Sequence, residues 1–142
     1  MISLKKTLSA ITSKFSALNT LLNDVPHYTL LWTNPNPTSS FSAQTISLDL
    51  SKYDAVEVVA KGWHADPYVI FFGARVGEGA EIMTYGGIDY AVELNTRKFT
   101  LSSTGVAFQS GYKTALNSTT GSVSNSHCIP TKIYGIKFGG GV

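Results

Sequence analysis

At Pro26 the hydrophobic period of this chain changes, and that change limits what it can fold into. Before it, apolar residues stand at Met1, Leu4, Leu8, Ile11, Phe15, Leu18 and Leu22, with gaps alternating between three and four. A 3.5-residue period is the a/d seam of a coiled coil, with Met1, Leu8, Phe15 and Leu22 at a and Leu4, Ile11 and Leu18 at d. The spacing predicts a helix over 2–23, stopped by Asn23-Asp24-Val25-Pro26. A helix this short is marginal alone in water, so its stripe needs a cover. That cover is a copy of itself, its own domain or a foreign protein. The e and g positions (Lys5, Thr7, Thr12, Lys14, Asn19, Leu21) hold no acid–base pairs that would select a different chain, which favours copies. Mixed Ile and Leu at d, with Phe15 at a, leaves dimer and trimer both open.

After Pro26 the period becomes two. Strands are expected at 27–33, 41–50, 53–63, 68–76, 80–86, 88–95, 97–103, 105–112 and 129–138. The run YVIFFGARV (68–76) is nearly all apolar and reads as a central strand buried on both faces. Gly86-Gly87 reads as the turn of a hairpin. NPNPTSS (34–40) must be a loop, and the polar stretch 113–127 is either an exposed functional loop or a wandering edge. Short strands at about ten-residue spacing define a mainly β fold. The expectation is an antiparallel β-sandwich or jelly roll over 26–142, preceded by a short N-terminal coiled-coil helix within 1–25.

Composition agrees with a folded body. Of 142 residues 43% are hydrophobic, enough for a core, while only 14% are charged. The net charge is +2, and the Lys and Arg residues are scattered apart from Lys5-Lys6 and Arg97-Lys98. Nucleic-acid binding draws on clustered cations, so no nucleic-acid partner is expected. Cys128 is the single cysteine, which rules out an intrachain disulfide and suits assembly in a reducing cytoplasm. Polar residues interrupt every turn of the N-terminal segment, so it reads as neither signal peptide nor membrane span, and no membrane insertion is expected.

Catalytic constellations are weak. Glu78/Glu81 and Asp89/Glu93 are the close carboxylate pairs, and both read as solvated faces. His64-Ala65-Asp66 offers two metal ligands where three or four are needed, and His27 and His127 are single. His127 and Cys128 are sequence neighbours and point to opposite faces of a strand, so they make no dyad; Cys128 reads as a packed thiol. GxSxG, P-loop and GxGxxG patterns are absent from the sequence, and GARVGEGAE ends a strand without opening a helix. The chain reads as a non-enzyme with no cofactor and no metal. Aromatic residues remain. Trp63, Tyr68, Tyr85, Tyr90 and Tyr112 fall near turns or strand ends, whereas Phe71, Phe72 and Phe99 read as core. Aromatic faces with amide groups nearby are the chemistry of a sugar site, which makes Trp63, Tyr85 and Tyr112 the candidate ligand-binding residues.

Two segments also carry a resemblance. LLWTNPNPTSSFSAQTISLDLSKYDAVEVVAK (30–61) resembles the opening of a β-domain in phage and prophage tail-fibre, baseplate or head-fibre structural proteins, a pattern of the form "lWtN.npt.sF.aqtisldLs.YdaveI". CIPTKIYGIKF (128–138) resembles the closing strand of such domains, "P.kIyGIK". The resemblance implies a virion protein assembled in the host cytoplasm. It also implies a homotrimer, with the β-domain hanging from a coiled-coil stem and binding the host surface through residues 62–127. Under that implication Leu4, Leu8, Ile11, Phe15, Leu18 and Leu22 set the oligomer. The same helix would meet another virion protein, and the surface ligand is a glycan. Three heptads make a short stem for a fibre, so a capsid or tail decoration protein with no receptor is the alternative. A glycan-depolymerising enzyme is the remoter one.

Overall fold

The computed structural model describes residues 3–66, 69–88, 91–115 and 118–139. Helix α1 runs Leu4–Asn23, and the Ser3 side chain caps it by accepting the Lys6 N–H at 3.3 Å. Its seam stays in solvent: exposure runs from 46% at Ile11 to 84% at Leu4. Met1 lies outside the described residues. Covering of the seam by the chain's own domain, one of the three options open from sequence, is therefore not what the described residues do.

Among the described residues nine strands follow: β1 His27–Thr33, β2 Gln44–Ser47, β3 Ala55–Trp63, β4 Ile70–Arg75, β5 Gly79–Ile88, β6 Ala91–Ser102, β7 Gly105–Ala115, β8 Ser122–Val123 and β9 His127–Lys137. They form two antiparallel sheets, ordered β1-β9-β3-β4 and β2-β7-β6-β5, with β8 pairing β7. A jelly roll switches consecutive strands between sheets for most of its length. Here β3–β4 and β5–β6–β7 are neighbours within one sheet, so sandwich is the description that fits. The two segments that carry the resemblance lie side by side, because β9 inserts between β1 and β3.

Alternation builds the core. Val56, Val58 and Ala60 of β3 and Ile133 of β9 meet Ile82, Phe99, Leu101, Val106 and Phe108 of the facing sheet, with Phe41 and Leu50 closing the sides. Phe41 sits edge-on to Phe108 at 5.4 Å. Gly135 has a packing reason: a Cβ there would come within 2.6 Å of the Tyr53 ring, which lies flat over the strand. The NPNP loop is pinned from inside, since buried Asn34 donates from Nδ2 to the Pro130 carbonyl and accepts the Asn36 N–H, both at 2.8 Å.

Several strands differ from expectation. β4 is an edge strand rather than a central one, because β9 and β3 take the middle of the sheet. Phe72 and Ala74 face inward, but Phe71, expected in the core, is 60% exposed. Phe99 is buried as expected. Residues 91–102 form one long strand where two were expected, and Gly86-Gly87 lie inside β5, paired with Glu93 and Val92. The strand expected over 41–50 contracts to Gln44–Ser47. The stretch 113–127 is a loop only in part: β7 reaches Ala115, and β8 and the start of β9 fall within it.

Candidate functional site

The inner face of β6 reads Leu101, Phe99, Arg97, Asn95, Glu93, passing from apolar to polar along one strand. The sandwich is filled with hydrocarbon at one end and opens at the other into a cleft of about 450 Å³. Glu93, Asn95, Thr84, Gly86 and Lys113 line it from one sheet. Gly62, Trp63 and His127 line it from the other, with Asp66 in the turn after β3. A volume of this size lies within the about 300–1,000 Å³ usual for small-molecule sites.

Arg97 marks the boundary. It is fully buried, yet no carboxylate pairs with it among the described residues. Its guanidinium instead donates to three backbone carbonyls: Nε to Cys128 at 2.8 Å, Nη1 to Gln109 at 2.6 Å and Nη2 to His127 at 3.2 Å. Two backbone distortions aim those carbonyls. Cys128 takes φ +50, a left-handed conformation rare outside glycine, asparagine and aspartate, at the start of β9. Opposite Lys98, β7 carries two residues, Gln109 and Ser110, which is a β-bulge. The guanidinium also lies 5.3 Å from the Phe41 ring centroid. Burial pulls the Arg97 pKa down to about 10, so it remains a cation at neutral pH. Arg97 thus bolts the two sheets together where the apolar core ends.

Beyond that bolt the groups are polar. Asn95 is 2% exposed, and its Oδ1 is buried with no hydrogen-bond partner among the described residues. Such an orphan acceptor typically costs on the order of 1–3 kcal/mol. Glu93 and Lys113 face each other at 3.7 Å, a loose pair. Asp66 Oδ2 accepts the Trp63 N–H at 2.8 Å and holds the 63–66 turn. His127 Nδ1 hydrogen-bonds with Ser124 Oγ at 2.7 Å. Burial holds the His127 pKa below its ordinary value; Glu93 opposes that shift and Lys113 adds to it.

Of the three candidate aromatics, Trp63 and Tyr85 border the same cleft and Tyr112 does not. Trp63 stands at the cleft rim, 44% exposed, with its ring 4.6 Å from His64. Thr84 is buried beside Cys128, so alternation turns Tyr85 toward the outer face, 72% exposed, while the residue still borders the cleft at its rim. Tyr112 lies on that outer face too, beside a shallow groove formed with Glu81, Lys98 and Gln109. Tyr68, Tyr90 and Asp89 lie outside the described residues.

The remaining candidates take structural places. His64 Nδ1 bonds with the Thr38 carbonyl at 3.0 Å, and Asp66 is occupied in its turn. Cys128 is buried, its thiol pKa raised by that burial, while neighbouring His127 lines the cleft. No group of three or more His, Cys, Asp or Glu side chains converges as metal ligands among the described residues. Among them no helix is long and apolar enough to cross a membrane. Sequence reasoning missed Asn95, Lys113 and Arg97. The signal that would have found Asn95 and Arg97 is the inner-face alternation of 91–102, hidden when that stretch is divided in two; Lys113 lies on β7.

Comparisons of the chain with family models, with curated proteins and with solved structures found no match.

Proposed function

We propose that this chain is the protomer of a homotrimeric, fibre-like virion appendage whose β-domain binds a host-surface glycan without catalysing a reaction. The observation that carries this reading is the uncovered seam of α1. Six heptad positions, Leu4, Leu8, Ile11, Phe15, Leu18 and Leu22, stay exposed while the sandwich completes its own core without them. A stripe of that length spaced at 3.5 residues is stabilised when copies bury it.

The polarity of the body supports the same reading. The helix leads into β1 at His27, which pairs with Lys137. Trp63 pairs with His127 at the opposite end of the same sheet, eight residues along β3 from Ala55, or roughly 25 Å at strand rise. A stem at one end and an open cleft at the other suit an appendage that is anchored proximally and binds distally. Three such clefts on one stem would turn weak contacts into avid attachment. Trimer, rather than dimer, rests on the resemblance.

The test is absolute mass by light scattering on the full chain and on Leu8→Asp combined with Leu18→Asp. The wild type is expected at three protomers and the double variant at one, with the β-sheet circular dichroism unchanged. A monomeric wild type would overturn the stem.

A further inference from the structure

Building on that glycan-binding reading, we infer that the open end of the sandwich is the binding site, and that its ligand is a neutral hexopyranose rather than an acidic sugar. The cleft is rich in acceptors. Asn95 Oδ1 is buried and unpartnered among the described residues, Asp66 uses Oδ2 on the Trp63 N–H, and Glu93 holds Lys113 only at 3.7 Å. A ligand that presents several hydroxyl donors would satisfy the open carboxylate oxygens of Asp66 and Glu93. The Asn95 side chain, whose Oδ1 is buried as it stands, would turn to offer that oxygen to a donor in the cleft.

Charge narrows the class. Two carboxylates, Asp66 and Glu93, stand against the single ammonium of Lys113, and burial keeps His127 neutral at pH 7. The cleft is therefore net negative by one charge, which disfavours uronic and sialic acids. The same charge would attract a cation, so putrescine stands among the probes as the competing class. Trp63 at the rim supplies an apolar ring face for the C–H side of a pyranose, while the polar floor takes its hydroxyls. Tyr85 borders the cleft at its rim, whereas Tyr112 lies on the outer face and is not part of this site.

The experiment is a ¹⁵N-observed NMR titration of the full chain. The probes are methyl α-glucopyranoside, methyl β-galactopyranoside, N-acetylglucosamine, glucuronate and putrescine, and a glycan array is run in parallel. A neutral glycoside should shift the Trp63 indole N–H and the Asn95 side-chain amide, and glucuronate and putrescine should shift neither. Asn95→Ala and Glu93→Gln should each weaken binding about tenfold or more, roughly 1.4 kcal/mol, and Tyr112→Ala should leave it unchanged. Glu93→Gln preserves shape, so it carries the test should Asn95→Ala fail to fold.

Preference for glucuronate or putrescine would overturn the ligand class. Array binding with shifts confined to Tyr112 and the groove beside it would overturn the site and leave the glycan reading standing. Silence on both array and titration would overturn the two together.

Discussion

The two ends of this sandwich are built from the same strands and do opposite things. At the closed end Phe99, Leu101, Val106 and Phe108 pack against Val56, Val58 and Ile133 in one apolar cluster. At the open end the next inward positions are Asn95, Glu93 and Lys113, and the space between the sheets holds a cleft. Backbone pairing continues through both. Sheet geometry and side-chain filling are thus separable: the ladder keeps the strands together where the core has stopped doing so. Arg97 makes the transition workable, because one cation replaces a layer of hydrocarbon by taking three carbonyls.

The sharpest way to break this contrast is to empty the closed end. Phe99→Ala, at a side chain only 1% exposed, should cost about 3–5 kcal/mol, read as a fall in urea midpoint at unchanged m-value. Arg97→Met tests the boundary. It leaves three inward carbonyls without their donor and should cost about 3 kcal/mol in the same assay. A loss below about 1 kcal/mol would mean that water replaces the guanidinium and that the bolt is dispensable.

The open end should respond differently. Asn95→Ala removes an acceptor that has no partner among the described residues, so relief of that orphan, on the order of 1–3 kcal/mol, offsets the packing lost with the side chain and stability should hold or rise. A buried residue that is cheap to lose marks a site kept for something other than stability. The smallest effect expected is on pH dependence. Burial lowers the folded-state pKa of His127 below its ordinary 6.5, so the unfolded chain binds the proton more readily. That contribution to stability is complete above pH 6.5 and is lost as the pH falls through the folded-state value. His127→Gln should flatten the slope of urea midpoint against pH below 6.5 and leave the midpoint at pH 8 nearly untouched.

Where one periodicity governs a segment, the sequence was readable. The helix expected over 2–23 is found at Leu4–Asn23, and the strand expected over 53–63 is found at Ala55–Trp63. Two features misled. Apolar content made 68–76 look central, yet rank in a sheet depends on which distant strand inserts beside it, and β9 arrives from more than fifty residues downstream of β4. Polar residues at 93, 95 and 97 interrupted what is one strand, since a core that turns hydrophilic midway imitates a strand that ends. The cleft was hidden for the same reason. Trp63 was visible because aromatics near turns stand out, whereas Asn95 gained meaning only once its strand was seen to be continuous.

The insertion of β9 between β1 and β3 has a consequence for how the protein comes into being. His27 pairs with Lys137, and Ala55 with Ile136, so one sheet waits for residues made after all its other strands. Until 127–137 leave the ribosome, β1 and β3 have no central neighbour, and pairings this far apart in sequence close slowly. The N-terminal helix, with only local hydrogen bonds to form, is complete long before. On the proposed trimeric reading, stems in a growing polysome would meet, and hold one another helical, while the bodies are still unfolded. Partner chains would then be chosen during synthesis, before any sandwich has closed.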